Sequence, residues 1–150
     1  MGLPLYRGGF FVAVISMKQV FSSPLLRVFI HAGQHSTVEL KWLDFANSEQ
    51  LRENILRGLD FAREYRVKAW LADNTLLRAI RPKDFEWMGP AIITPLDQLG
   101  VQRIAVVESQ DAINRMGVNT FLSATVPGTS IITRNFATVE EARAWSSSPL

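Results

Sequence analysis

Two short stretches in the middle of the chain, Ala69-Trp70-Leu71-Ala72 and Ile104-Ala105-Val106-Val107, are apolar at every position. A strand with one wet face alternates apolar and polar residues, so a short unbroken run marks a strand covered on both faces. Such strands belong to sheets whose neighbours are joined by helical crossovers, because the crossing helix is what covers the face. The flanking sequence supplies the helices. Positions 48–65 carry Leu51, Ile55, Leu59 and Ala62 on one stripe, with Asn47 and Gln50 spaced as a capping box at the start. Glu49, Arg52, Glu53, Arg57, Asp60, Arg63 and Glu64 fill the opposite, solvated face. Ser109 is placed to cap a helix through Ile113, Met116, Thr120 and Phe121, and Thr138-Val139-Glu140-Glu141 forms a capping box for a closing helix with Ala142 and Trp145.

Between the apolar runs the punctuation is proline. Arg81-Pro82 suits a helix start, where the missing N–H costs nothing. Pro90 and Pro95 then predict a break near Gly89-Pro90 and a kink at Pro95, with Gly100 ending the segment. Pro127-Gly128 turns the chain toward a last strand at Ile131-Ile132. Ahead of the first helix, 26–30 and 37–43 read as a hairpin around His31-Ala32-Gly33-Gln34-His35-Ser36. In its second arm Val38, Leu40 and Trp42 face a core while Glu39 and Lys41 face water. The apolar run 10–15 reads as an extra edge strand or an arm on an apolar surface. A signal segment, with no small-x-small motif after it, and an appendage ahead of a start at Met17 are the alternatives. The expected organisation is an arm over 1–18, one α/β domain over 19–146 with a mixed sheet of about five strands, and a frayed serine-rich tail over 147–150.

At 150 residues a single domain buries enough surface for a core without disulfide or structural metal. The absence of cysteine excludes thiol catalysis, thiolate zinc and iron–sulfur clusters. Sixteen Lys and Arg against 14 Asp and Glu, with no basic run, argue against nucleic acid as a partner, and no apolar run is long enough for a membrane span. Trp42, Trp70, Trp87 and Trp145 fall on strand and helix stripes, which assigns them to packing.

Candidate chemistry is sparse. His31 and His35 flank a turn, where an i,i+4 zinc geometry is lost, and they read as exposed turn residues. No nucleophile elbow, phosphate loop or dinucleotide fingerprint occurs, and Glu140-Glu141 belongs to a cap. No catalytic residue, metal ligand or cofactor is therefore assigned. One loop collects polar residues where open α/β sheets place ligands, between the end of a central strand and the next helix: Asp73, Asn74, Arg78, Arg81 and Lys83. Free N–H groups at the Pro82 helix start and the two arginines would suit a small anionic group.

Five segments carry a family resemblance over about 21–145: Val38-Glu39-Leu40-Lys41-Trp42, Tyr65-Arg66-Val67-Lys68-Ala69-Trp70-Leu71-Ala72-Asp73, Ile80-Arg81-Pro82-Lys83-Asp84-Phe85-Glu86-Trp87, Ile104-Ala105-Val106-Val107, and Phe136-Ala137-Thr138-Val139-Glu140-Glu141-Ala142. In these the chain resembles the STAS-like (SpoIIAA-like) family, in particular bacterial members that are also similar to the lipid-binding CRAL-TRIO group. The resemblance implies a mixed sheet with helices largely on one face, and non-enzymatic work: regulatory protein contact or binding of a nucleotide or lipid-like ligand. Where phosphorylated members carry Ser-Ser-Gly at a helix start, this chain has Arg81, Pro82 and Lys83, with no hydroxyl to modify. The expectation is a cytoplasmic regulatory or ligand-sensing module without the phosphorylatable serine, in contact with a protein partner or with itself as a homodimer. The alternative is a carrier for a small or lipid-like molecule, with an apolar pocket under 90–99.

Overall fold

The computed structural model describes residues 4–7, 10–13 and 16–150. Its main sheet has six strands lying in the order in which the chain makes them: β3 (Ser16–Ser22), β4 (Leu26–Ala32), β5 (Thr37–Trp42), β6 (Ala69–Asp73), β7 (Arg103–Val107) and β8 (Ile132–Phe136). The first three form an antiparallel meander and the last four run parallel. Two further strands, β1 (Pro4–Arg7) and β2 (Phe10–Ala13), pair only with each other. The apolar run beginning at Phe10 thus enters a two-stranded ribbon rather than the edge of the main sheet. Its expected packing on the domain concerns side chains outside the described residues.

The sixth strand is β3, which the sequence hides. It is an edge strand whose side chains are exposed or half-buried, and a register shift between Gln19 and Phe21 interrupts the ladder. Neither feature leaves a period-two pattern to read.

Each parallel step is a helical crossover. α1 (Ser48–Glu64) links β5 to β6; α2 (Pro82–Met88), a π turn (Gly89–Ile93) and α3 (Thr94–Gln98) link β6 to β7; α4 (Ala112–Thr125) links β7 to β8. All three pack on one face, where Leu40, Trp70 and Ile104 of the sheet meet Ile55, Leu96 and Phe121 of the helices. Gly58 permits the close approach of α1, since a Cβ there would lie 2.7 Å from Trp70 Cη2 and 2.8 Å from Leu40 Cδ2. The closing helix α5 (Val139–Ser147) crosses to the opposite face and covers Leu71, Ala105 and Val107 with Ala142 and Trp145. Helices on both sides explain the continuous apolar runs: every residue of Ile104-Ala105-Val106-Val107 is buried.

The proline segment departs from expectation. The chain does not break at Gly89-Pro90 but widens into the π turn, in which Thr94 N–H bonds Gly89 C=O five residues back. A five-residue register tolerates two prolines five apart, because neither has an N–H to offer and the wider turn relieves the ring's clash with the preceding carbonyl. The serine-rich tail lies within reach of β7. Arg103 Nη1 donates to the carbonyls of Trp145 (2.6 Å) and Ser148 (2.9 Å), and Nη2 donates to Pro149 C=O (2.7 Å). No described helix is long and apolar enough to cross a membrane.

Candidate functional site

The polar loop after β6 does not assemble as one site. Strand alternation sends Asp73 and Asn74 to opposite faces of the sheet. Asp73 is buried and closes the local turn, its Oδ1 accepting from Thr75 N–H (3.2 Å) and from Thr75 Oγ1–H (2.6 Å). Arg78, Arg81 and Lys83 are exposed. Helix α2 has seven residues, and its first turn already holds a carboxylate: buried Asp84 accepts from Ser48 Oγ–H (2.6 Å) and Arg52 Nε–H (2.9 Å). Burial works against ionisation of Asp84, but those hydrogen bonds and the Arg52 charge outweigh it and hold its carboxyl below the usual aspartate value. The crossovers all leave toward one face and the strand order never reverses, so the sheet has no switch point to open a crevice. The open cleft beside the loop, about 370 Å³, sets Asp44 and Asp111 against Arg78. Charge reversal at both Arg78 and Arg81 is expected to change stability by less than about 0.5 kcal/mol in urea denaturation. Phosphate is expected to bind wild type no better than this double variant.

The interior offers a different site. Between the sheet and the helical layer lies a cavity of about 70 Å³. Trp70 and Ala72 of β6 and Asn74 just after it form its floor with Ile104 and Val106 of β7. Ile92, Ile93 and Leu96, inside the 90–99 segment singled out by its prolines, form its roof, and Val118, Phe121 and Leu122 of α4 close one side. The lining residues are apolar or aromatic, Asn74 excepted. A π turn in the roof fits a ligand site, since such turns recur where a helix has been reshaped for binding.

The opposite face holds a buried ionic cluster that corrects two sequence expectations. Glu39, read as wet, is 0% exposed, and His31, read as an exposed turn residue, is buried on β4. His31 Nε2–H donates to Glu39 Oε1 (2.7 Å), while Arg143 of α5 donates from Nε to Oε1 (2.8 Å) and from Nη2 to Oε2 (3.0 Å). Burial opposes the Glu39 charge, yet the hydrogen bonds from His31 and Arg143 prevail and hold its carboxyl below the usual glutamate value. The bonds to Glu39 raise Arg143 in turn, against its own desolvation. His35 Nε2 bonds the Ser146 carbonyl at 2.6 Å, a second tie between the hairpin and α5. With its three members shut from solvent or half-buried, the cluster clamps a helix to the sheet rather than meeting a substrate. Among the described residues no group of three or more His, Asp or Glu is placed to hold a metal ion.

The chain matches no protein-family model, no curated protein and no solved structure.

Proposed function

We propose that the chain is a non-enzymatic, STAS-like ligand-sensing module, which takes a small apolar ligand into the cavity under the π turn and reports its presence through α4. The observation that supports this reading is that one helix faces both ways. Val118, Phe121 and Leu122 of α4 wall the cavity, while Ile113 and Met116 on the same helix are 69% and 71% exposed. Its start is tied to the cavity-lining loop, with Asn114 Nδ2 donating to Arg78 C=O at 2.8 Å. A ligand that shifts α4 therefore alters an apolar surface suited to a protein partner. A lipid carrier needs several hundred Å³ for its cargo, roughly 300 or more, and a cavity of about 70 Å³ favours sensing over carriage. The absence of a hydroxyl at Arg81, Pro82 and Lys83 leaves ligand binding as the switch input in place of phosphorylation.

Isobutene is small enough to test this. It is expected to raise the Tm of the wild type and to slow amide exchange in α4. Ala72→Val places two methyl groups at the cavity floor on a strand that suits a β-branched residue. This variant should be as stable as wild type or up to about 1 kcal/mol more so, and should not respond to isobutene. No response in wild type, or the same response in both, would contradict the reading.

A further inference from the structure

The polar corner of the cavity says more about the ligand than its apolar walls do. Along β6 the side chains of Trp70 and Ala72 point to the helical layer and Leu71 points toward α5; Asn74, the residue just past the strand, continues the alternation onto the cavity side. Asn74 is 5% exposed and lines the cavity. Its backbone is paired, the N–H donating to Val107 C=O (3.1 Å) and the C=O accepting from Leu77 N–H (3.0 Å). Its carboxamide, by contrast, bonds no described residue. Its nitrogen and oxygen keep some accessible surface, unlike the buried, unpaired Asn114 Oδ1 and Ser146 Oγ. A carboxamide offers two donor hydrogens and two lone pairs, and at the cavity wall a polar ligand atom can meet them.

The remaining wall limits what the ligand is. No Asp, Glu, Lys, Arg or His lines the cavity, so an ionised group entering it would lose its water and find no counter-charge. A pure hydrocarbon would leave the carboxamide unpaired. The volume, about 70 Å³, is roughly half the ~150 Å³ of an apolar cavity that accepts benzene, which limits the ligand to about four non-hydrogen atoms. We propose that the cavity is selective for a small uncharged molecule with one hydrogen-bonding oxygen, a ketone, alcohol or amide, whose oxygen accepts from Asn74 Nδ2–H while its carbon body fills the space under Ile92. This rests on the ligand-sensing reading above. For a ligand of this size, binding is no tighter than about tens of micromolar.

Acetone and isobutene separate the polar seat from the apolar space, because they differ only in C=O against C=CH2. Both are titrated into wild type and Asn74→Leu, followed by amide and side-chain proton–nitrogen NMR spectra. Wild type should bind both. Asn74→Leu should weaken acetone about tenfold while isobutene binds as before or better. In wild type the Asn74 carboxamide proton resonances should move downfield with acetone and not with isobutene, a readout that holds even if the variant fails to fold. If both probes bind and the substitution affects them equally, or the carboxamide responds alike to both, the polar seat is wrong and the cavity reading stands. If neither probe binds wild type, the ligand-sensing reading falls and this inference falls with it.

Discussion

Replacing Arg143 with alanine is expected to destabilise the fold by about 3 to 5 kcal/mol in urea denaturation at neutral pH. The change strips a wholly buried carboxylate, Glu39, of a bidentate partner and leaves it only His31. Its effect should be local at first, since α5 keeps its packing through Ala142 and Trp145 and its ties to His35 and Arg103. Amide exchange should rise first in α5 and then along β6 and β7. Placing Arg143→Ala in a Glu39→Gln background should cost much less, because no buried charge is then orphaned. The cluster also sets the acid limit of stability. The folded Glu39 carboxyl lies below its ordinary value of 4.5, so the folded state binds fewer protons than the unfolded chain as pH falls through that region. Its contribution is whole above about pH 4.5 and is lost as pH drops through the depressed folded value. Asp84, depressed in the same direction from 3.8, adds to the same acid slope. Stability against pH should thus decline below about 4.5 in wild type and decline less in Glu39→Gln.

Trp70→Ala is the second large effect, at about 3 to 5 kcal/mol. Trp70 is 6% exposed, floors the cavity and fills the hollow left by Gly58 on α1. Removing it joins the space of an indole to a void that already exists, so the site has little ability to collapse. The lost shape should then be replaceable. Indole at a hundredfold excess over its Kd should return about 2.7 kcal/mol, read as a rise in the urea midpoint. Indole that leaves the variant unchanged would mean that the space closes, and that the layer over it is softer than the packing implies.

The parallel half of the sheet was legible because its causes are local. Asn47 and Gln50 form the capping box their spacing predicts, with Gln50 N–H to Asn47 Oδ1 at 2.8 Å and Asn47 N–H to Gln50 Oε1 at 3.1 Å. Thr138 caps α5 through Glu141 N–H, but the expected box is only half made: the Glu141 carboxylate accepts from the Thr138 hydroxyl (2.9 Å) and not from its backbone N–H. What escaped reading depends on residues far apart in the chain. Alternation tells that Glu39 lies opposite Val38 and Leu40, but only α5, arriving 104 residues later with Arg143, turns that face from wet to dry. His31 follows from the same event. The prolines at 90 and 95 announce an irregular helix without saying that a π turn will absorb them. Asn74 was singled out for standing in a loop at a strand end, whereas its position rests on strand alternation past Trp70 and Ala72 into a void. A void is the shape left over when side chains from many elements meet, and no window of sequence contains it.

Crystals of wild type and Ala72→Val held under xenon pressure test the central claim most directly, since xenon enters apolar cavities and needs no hydrogen bond. Wild type should show a single strong xenon peak between Trp70, Ile92 and Phe121, and Ala72→Val should show none there. Xenon absent from that position in wild type, or retained there in Ala72→Val, would contradict the account.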